Sequence, residues 1–204
     1  MKLYYAPASP FVRKVNVLAM ETGLDKQVEW LGTNPWQAEE ALISENPLSK
    51  IPTLITDDGM VLYDSAVICE YLDGLHAGEK MIPIAGEARW QVLRLQALAD
   101  GLLDSGILRF REKKRPTELY SAEWDAMQKG AVERSLDYLE QTLSLWSQSN
   151  TVNLGVISVA IALGWLDFRF PDEDWRSARP QLASWFEIFA ERPAMRATIP
   201  QEAA

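Results

Sequence analysis

Two kinds of apolar periodicity divide this chain. Over the first 75 residues or so, short extended runs trade places with short helical ones. Leu3, Tyr4 and Tyr5 predict a strand over 3–5. Ser9-Pro10 then opens a pattern in which Phe11, Val15, Leu18 and Ala19 recur at helical spacing, which predicts a helix over 10–22 closed by Gly23. A strand over 28–31 follows, and strand, helix and strand together make a βαβ unit with parallel strands and a right-handed crossover. Next come a short helical pattern over 36–43, the turn-rich Asn46-Pro47-Leu48-Ser49-Lys50, and a strand over 53–55. Asp58-Gly59 is a hairpin signal, so 61–63 returns as an antiparallel strand before Asp64-Ser65 starts a helix over 66–72. The predicted order is βαβαββα.

From about Glu87 onward the pattern is helical throughout. Trp90, Leu93, Leu95, Leu98, Leu102 and Leu103 mark one helix that continues toward Arg111. Trp124, Met127, Val132, Leu136, Leu139 and Leu143 mark a second, antiparallel to it through a loop around Pro116. The run 152–166 is strongly apolar but short for a membrane span, and fits the buried central helix of a bundle. Asn153 is its expected N-cap, with Val152 and Ile157 as a hydrophobic staple. A last helix is expected over 180–190. The sequence therefore predicts an α/β domain over 1–75, a linker over 76–86 and an all-helical bundle over 87–204, with no internal repeat and no low-complexity tract.

Composition narrows the function classes. With 48% hydrophobic and 24% charged residues, a chain of 204 residues can bury a real core. A formal net charge of −9 argues against nucleic acid or an anionic membrane surface as a partner. Cys69 is the only cysteine, which rules out an intrachain disulfide and CxxC or cysteine-zinc chemistry; its apolar surroundings in sequence predict a buried small hydrophobe. His76 is the only histidine, and Gly74-Leu75-His76-Ala77-Gly78 reads as a helix end with an exposed loop histidine, without partners for a Ser-His-Asp relay. No cationic segment leads an apolar stretch at the start, so the cytoplasm is the expected compartment.

Three short segments carry candidate chemistry. Ser9 sits at a helix N-terminus, where unsatisfied N–H groups and a partial positive charge favour a carboxylate or a thiolate; an N-cap is its simpler role. Lys50-Ile51-Pro52-Thr53 enters a strand, where a trans proline is the ordinary state and a cis bond would turn the Ile51 backbone outward toward an extended peptide. Asp64-Ser65 is either an N-cap pair or a grip on an amino-acid head group, serine on the carboxylate and aspartate on the ammonium.

Ser9-Pro10-Phe11-Val12-Arg13-Lys14-Val15 after the first strand, Ile51-Pro52 entering the third and Asp64-Ser65 opening the third helix resemble the thioredoxin-like domain of the cytosolic glutathione transferases. The likeness is greatest to their bacterial serine-type members. The helical remainder, including Leu163-Gly164-Trp165-Leu166-Asp167, resembles their C-terminal domain. The resemblance implies that glutathione is the co-substrate. It implies that Ser9 stabilises the thiolate, Ile51-Pro52 is a cis pair holding the cysteinyl backbone, Asp64 and Ser65 anchor the γ-glutamyl end, and Lys50 contacts a carboxylate. A hydroxyl donating to sulfur at a helix N-terminus lowers a thiol pKa, so the physical account agrees. Phe11, Trp36, Phe110 and Arg111 are the candidates for a second, hydrophobic substrate pocket, and Arg13 and Lys14 are expected on a solvated helix face.

The resemblance further implies a small electrophilic substrate, no metal, and a homodimer. Two departures stand out. Asn153-Leu154-Gly155-Val156 replaces the family's Ser/Thr-x-x-Asp capping box, which bears on stability by about 1 kcal/mol. Ser9 stands where glutathione-dependent reductases carry cysteine, and serine cannot form a mixed disulfide. A non-enzymatic interaction protein of the stringent-starvation type is the rival on the same scaffold, since fold does not decide function. A glutathione-dependent isomerase is a third reading, with Arg13, Arg109 and Arg111 as cations for a diacid.

Overall fold

The structure is a computed structural model that describes residues 1–34, 36–37, 39–147 and 152–202. It divides into two compact units, Met1–Ile84 together with the segment from Pro193 on, and Ala85–Arg192. Each is described by itself.

The first unit holds β1 (Lys2–Tyr5), α1 (Pro10–Glu21), β2 (Glu29–Gly32), α2 (Glu40–Glu45), β3 (Thr53–Ile55), β4 (Val61–Leu62) and α3 (Ser65–Leu75). Four strands form one mixed sheet in the order β2-β1-β3-β4. β1 and β2 are parallel, as a βαβ crossover requires, whereas β3 runs antiparallel to both β1 and β4. Register decides what meets at the sheet edge. Tyr4 faces Thr53 and Leu54 faces Leu62, so the end of β1, the start of β3 and the end of β4 lie side by side. The turn into α1, the Ile51-Pro52 loop and the start of α3 therefore leave the sheet at one end. β2 is parallel to β1 and ends there too, with the Thr33 N–H donating to the Tyr5 carbonyl at 3.0 Å.

Leu3 and Leu54 pair across β1 and β3 and are fully buried, under Val15, Leu18 and Ala19 of α1 and Ile68 and Leu72 of α3. Cys69 is buried with them, as its apolar run predicts. Gly23 has φ +72 at the end of α1 and Gly59 φ +86 in the hairpin turn, left-handed conformations that glycine adopts without steric cost.

The helical pattern expected over 36–43 is displaced: the helix is α2, and Trp36 precedes it in a turn. Side chains explain the shift. Asn34 Oδ1 accepts from the Trp36 N–H at 3.0 Å, and Glu39 accepts from the Thr33 hydroxyl at 2.5 Å and the Asn34 N–H at 2.9 Å. Those local bonds compete with a helical backbone. They also pull the Glu39 carboxyl below its ordinary range, the Thr33 hydroxyl most of all.

The second unit is helical: α4 (Gly86–Glu112), α5 (Ala122–Gln141), α6 (Leu143–Trp146), α7 (Leu154–Arg169) and α8 (Pro180–Ala190). The helix expected to run to Leu143 breaks at Thr142, whose hydroxyl donates to the Tyr138 carbonyl at 2.7 Å. α7 is buried along almost its whole length, and Asn153 caps it by accepting from the Val156 N–H at 3.1 Å. Among the described residues, no helix is long and apolar enough to cross a membrane. A short helix, α9 (Pro193–Ala197), follows and packs with the first unit, against α1.

Candidate glutathione site

Ser9 caps α1. Its Oγ accepts from the Val12 N–H at 3.3 Å, and Pro10 fills the first helical position, where no N–H is needed. A hydroxyl can donate one hydrogen bond while accepting others, and among the described residues nothing takes the Ser9 proton. The cap thus orients the oxygen and leaves the O–H to donate toward an anion at the helix end.

Ile51-Pro52 is cis. Sequence alone favoured trans, and the resemblance implied cis. The loop that presents this pair is built by residues that sequence reasoning did not single out. Asn46 is fully buried; its Nδ2 donates to the Lys50 carbonyl at 3.1 Å and to Thr53 Oγ at 2.9 Å, and its Oδ1 accepts from the Leu48 N–H at 3.0 Å. Thr53 in turn donates to the Lys50 carbonyl at 2.8 Å. Asn46-Pro47 was the available signal, because asparagine before proline in a turn commonly bonds the backbone two residues on. Lys50 is exposed and Pro52 buried.

Asp64 caps α3, with Oδ1 accepting from the Ala66 N–H at 3.0 Å, and the Tyr63-Asp64 bond is also cis. Ser65, the first helical residue, is buried, while Asp64 is exposed. One oxygen of Asp64 is therefore spent on the helix and the other is left to meet a cation.

Phe11 is half-buried on α1 with the Lys14 Nζ 5.6 Å from its ring centre. Trp36 is 65% exposed after the end of β2, at the sheet edge that carries the other three segments. Phe110 and Arg111 belong to α4 in the second unit: Phe110 meets Trp165 edge to face at 6.3 Å and carries Lys114 and Arg169 over its ring, while Arg111 is exposed.

Three readings of charged residues are corrected. Arg13 and Lys14 do not lie on a solvated face: Arg13 is 8% exposed and Lys14 fully buried. Burial pulls the Arg13 guanidinium down to about 10. His76 is not an exposed loop histidine, since its side chain is 9% exposed and its Nε2 lies 2.8 Å from Asp73 Oδ1. Its Nδ1 accepts from the Gly78 N–H at 3.1 Å, which puts the ring proton of the neutral form on Nε2. Asp73 also accepts from the Met81 and Ile82 N–H groups at 2.8 and 3.0 Å, tying the end of α3 to the chain that follows.

Arg109 is 2% exposed and committed within its own unit. It forks onto Glu173 at 3.0 and 2.8 Å, reaches Asp125 at 3.3 Å and lies over the Phe170 ring at 4.6 Å. Burial pushes its pKa down, yet these carboxylates outweigh that and hold it above the ordinary arginine value. A cavity of about 270 Å³ beside it is lined by Lys129, Leu136, Phe170 and Glu173, among others. Among the described residues no cluster of three or more His, Cys, Asp or Glu could hold a metal ion.

Comparison with known proteins agrees with the fold. The family model of the glutathione S-transferase N-terminal domain matches residues 8–75, and that of the C-terminal domain matches residues 118–187. The uncharacterized GST-like protein YibF of Escherichia coli is 35% identical over 204 residues, covering 100% of both chains. A glutathione transferase family member from Pseudomonas fluorescens, solved with bound glutathione, is 43% identical with a TM-score of 0.94, over 98% of this chain and 99% of that one. A stringent starvation protein A homolog of Coxiella burnetii is 33% identical over 89 residues, which is 44% of this chain and 41% of that protein. By sequence and by fold, a thioredoxin-like domain followed by helices, the chain belongs to the glutathione S-transferase family.

Proposed function

We propose that this protein is a glutathione transferase that binds glutathione on its first unit and activates the thiol for attack on a small hydrophobic electrophile. The observation that carries the reading is the convergence of two helix N-termini and the Ile51-Pro52 loop at one end of the sheet. The Ser9 O–H and the α1 terminus hold the sulfur as thiolate. The Ile51 backbone pairs with the cysteinyl unit. The free oxygen of Asp64 takes the γ-glutamyl ammonium, and Ser65 with the α3 terminus takes its carboxylate. Lys50 meets the other end of the tripeptide. Phe11 and Trp36, on the same unit, are the candidates for the electrophile's surroundings. In the reaction the sulfur lone pair forms a bond to the electrophilic carbon while the leaving group departs with its electron pair, and Ser9 is never a nucleophile.

The Pseudomonas relative's bound glutathione supports the ligand; a cytoplasmic location and no need of a metal belong to the same proposal. A homodimer belongs to it as well; Met60, just before the edge strand β4, and Val67 on α3 are exposed apolar side chains for it to cover. The isomerase reading loses support because Arg109 is already bound by two carboxylates and Arg13 by neutral acceptors. The partial likeness to a stringent starvation protein keeps a binding role as the second reading. Calorimetric titration of glutathione into wild type and Ser65→Ala separates the two. Transferase function requires binding that weakens in Ser65→Ala; no heat at millimolar glutathione favours the binding protein.

A further inference from the structure

α1 carries an arginine whose placement no local rule explains. Arg13 lies four residues after Ser9, and its own N–H donates to the Ser9 carbonyl at 3.0 Å, so the two residues share the first hydrogen bond of the helix. The guanidinium is buried, yet its bonds go to neutral oxygens. Nη2 donates to the Met195 carbonyl at 3.0 Å and Nε to Thr198 Oγ at 3.3 Å. Both acceptors sit at the end of α9, 182 and 185 residues away in sequence.

The arrangement is mutual. A short helix leaves its last carbonyls without intrahelical partners, and a cation is favoured at that end. Thr198 donates its hydroxyl proton to the Ala194 carbonyl at 2.8 Å, which turns a lone pair toward Arg13. Arg13 satisfies the neighbouring Met195 carbonyl, and Ala194 and Met195 are themselves buried residues of the first unit. A lysine could not replace it, because one ammonium cannot present the two separated donors of a planar fork.

We propose that Arg13 is a positioning residue: it clasps the first turn of α1 to the segment 193–198 and thereby fixes the helix end that carries Ser9. Its effect on glutathione chemistry rests on the function proposed above; the clasp itself does not. Removing the clasp frees the first turn to fray, and a frayed turn no longer holds the Ser9 hydroxyl or the helix dipole on the sulfur.

The test uses Thr198→Val, which keeps the side-chain shape and removes the acceptor, together with Arg13→Met and Arg13→Lys. Amide hydrogen exchange is followed on the full chain without ligand. The clasp predicts exchange at Val12 and Arg13 faster by roughly tenfold in Thr198→Val and Arg13→Met, with Ile68 and Cys69 of α3 unchanged. Arg13→Lys should restore only part of the protection. In the same variants the pKa of bound glutathione, read from the ultraviolet thiolate band, should rise by roughly half a unit. Unchanged exchange at Val12 and Arg13, or equal acceleration throughout the first unit, overturns the clasp. Selective acceleration in a protein that binds no glutathione upholds the clasp and overturns the transferase reading.

Discussion

Asn46 is the residue on which the presentation of Ile51-Pro52 depends most heavily, and Asn46→Ala tests that directly. The substitution deletes three hydrogen bonds, to the Lys50 carbonyl, Thr53 Oγ and the Leu48 N–H, in a fully buried position. At about 1 kcal/mol net for each bond, the loss is about 3 kcal/mol, or a fall in Tm of roughly 6–12 °C for a protein of this size. Asn46→Asp should cost at least as much, because it keeps the acceptor for Leu48 while losing both donations and burying a carboxylate. Thr53→Val removes the acceptor of one bond and the donor of another and should cost about 2 kcal/mol. Urea unfolding of all three, paired with glutathione titration of the folded proteins, provides the assay. Glutathione affinity should fall in step with the loosening of the loop. An Asn46→Ala protein within about 0.5 kcal/mol of wild type and with unaltered glutathione affinity would refute the reasoning.

The remaining expectations concern stability. Gly106→Ala would bring its Cβ to 2.8 Å from Trp165 Cζ3, so overpacking between α4 and α7 should cost about 1–3 kcal/mol in thermal unfolding. Asp73→Asn replaces one acceptor oxygen with a donor facing N–H groups, and should lower unfolding stability by about 2 kcal/mol. Burial raises the Glu173 carboxyl, but the Arg109 fork and Lys113 hold it down at about 2. Because the folded pKa is depressed, this stabilisation is complete above the unfolded value near 4.5 and is lost as pH falls toward about 2. With solvent screening it amounts to about 1–2 kcal/mol, and Glu173→Gln should flatten the acid limb of a pH–stability curve by that much.

Those features were legible in sequence where the determining contacts are local, and hidden where they are not. Ser9-Pro10, Asp64-Ser65 and Asn153 announce helix starts within four residues, and all three cap as expected. The βαβαββα order follows from alternation and from Asp58-Gly59, and the strand register then brings the candidate segments to one edge. Arg13 was misplaced because its acceptors lie far down the chain, beyond any helical periodicity. His76 was misjudged because flanking glycines suggest an open loop, whereas Asp73 one turn back draws the ring in. Trp36 fitted a helical spacing that Asn34 and Glu39 override through side-chain bonds to the turn. The roles of Phe110 and Arg111 depend on an arrangement of helices that apolar spacing does not encode.

The central claim is that Ser9 holds the glutathione sulfur as thiolate. It is tested most directly by a pH titration of the ultraviolet thiolate band of bound glutathione in wild type and Ser9→Ala. A hydrogen bond to a charged acceptor is worth about 1.5–3 kcal/mol, so the thiol pKa should rise by about 1–2 units in Ser9→Ala while glutathione still binds. Identical titration curves for the two proteins would contradict the account.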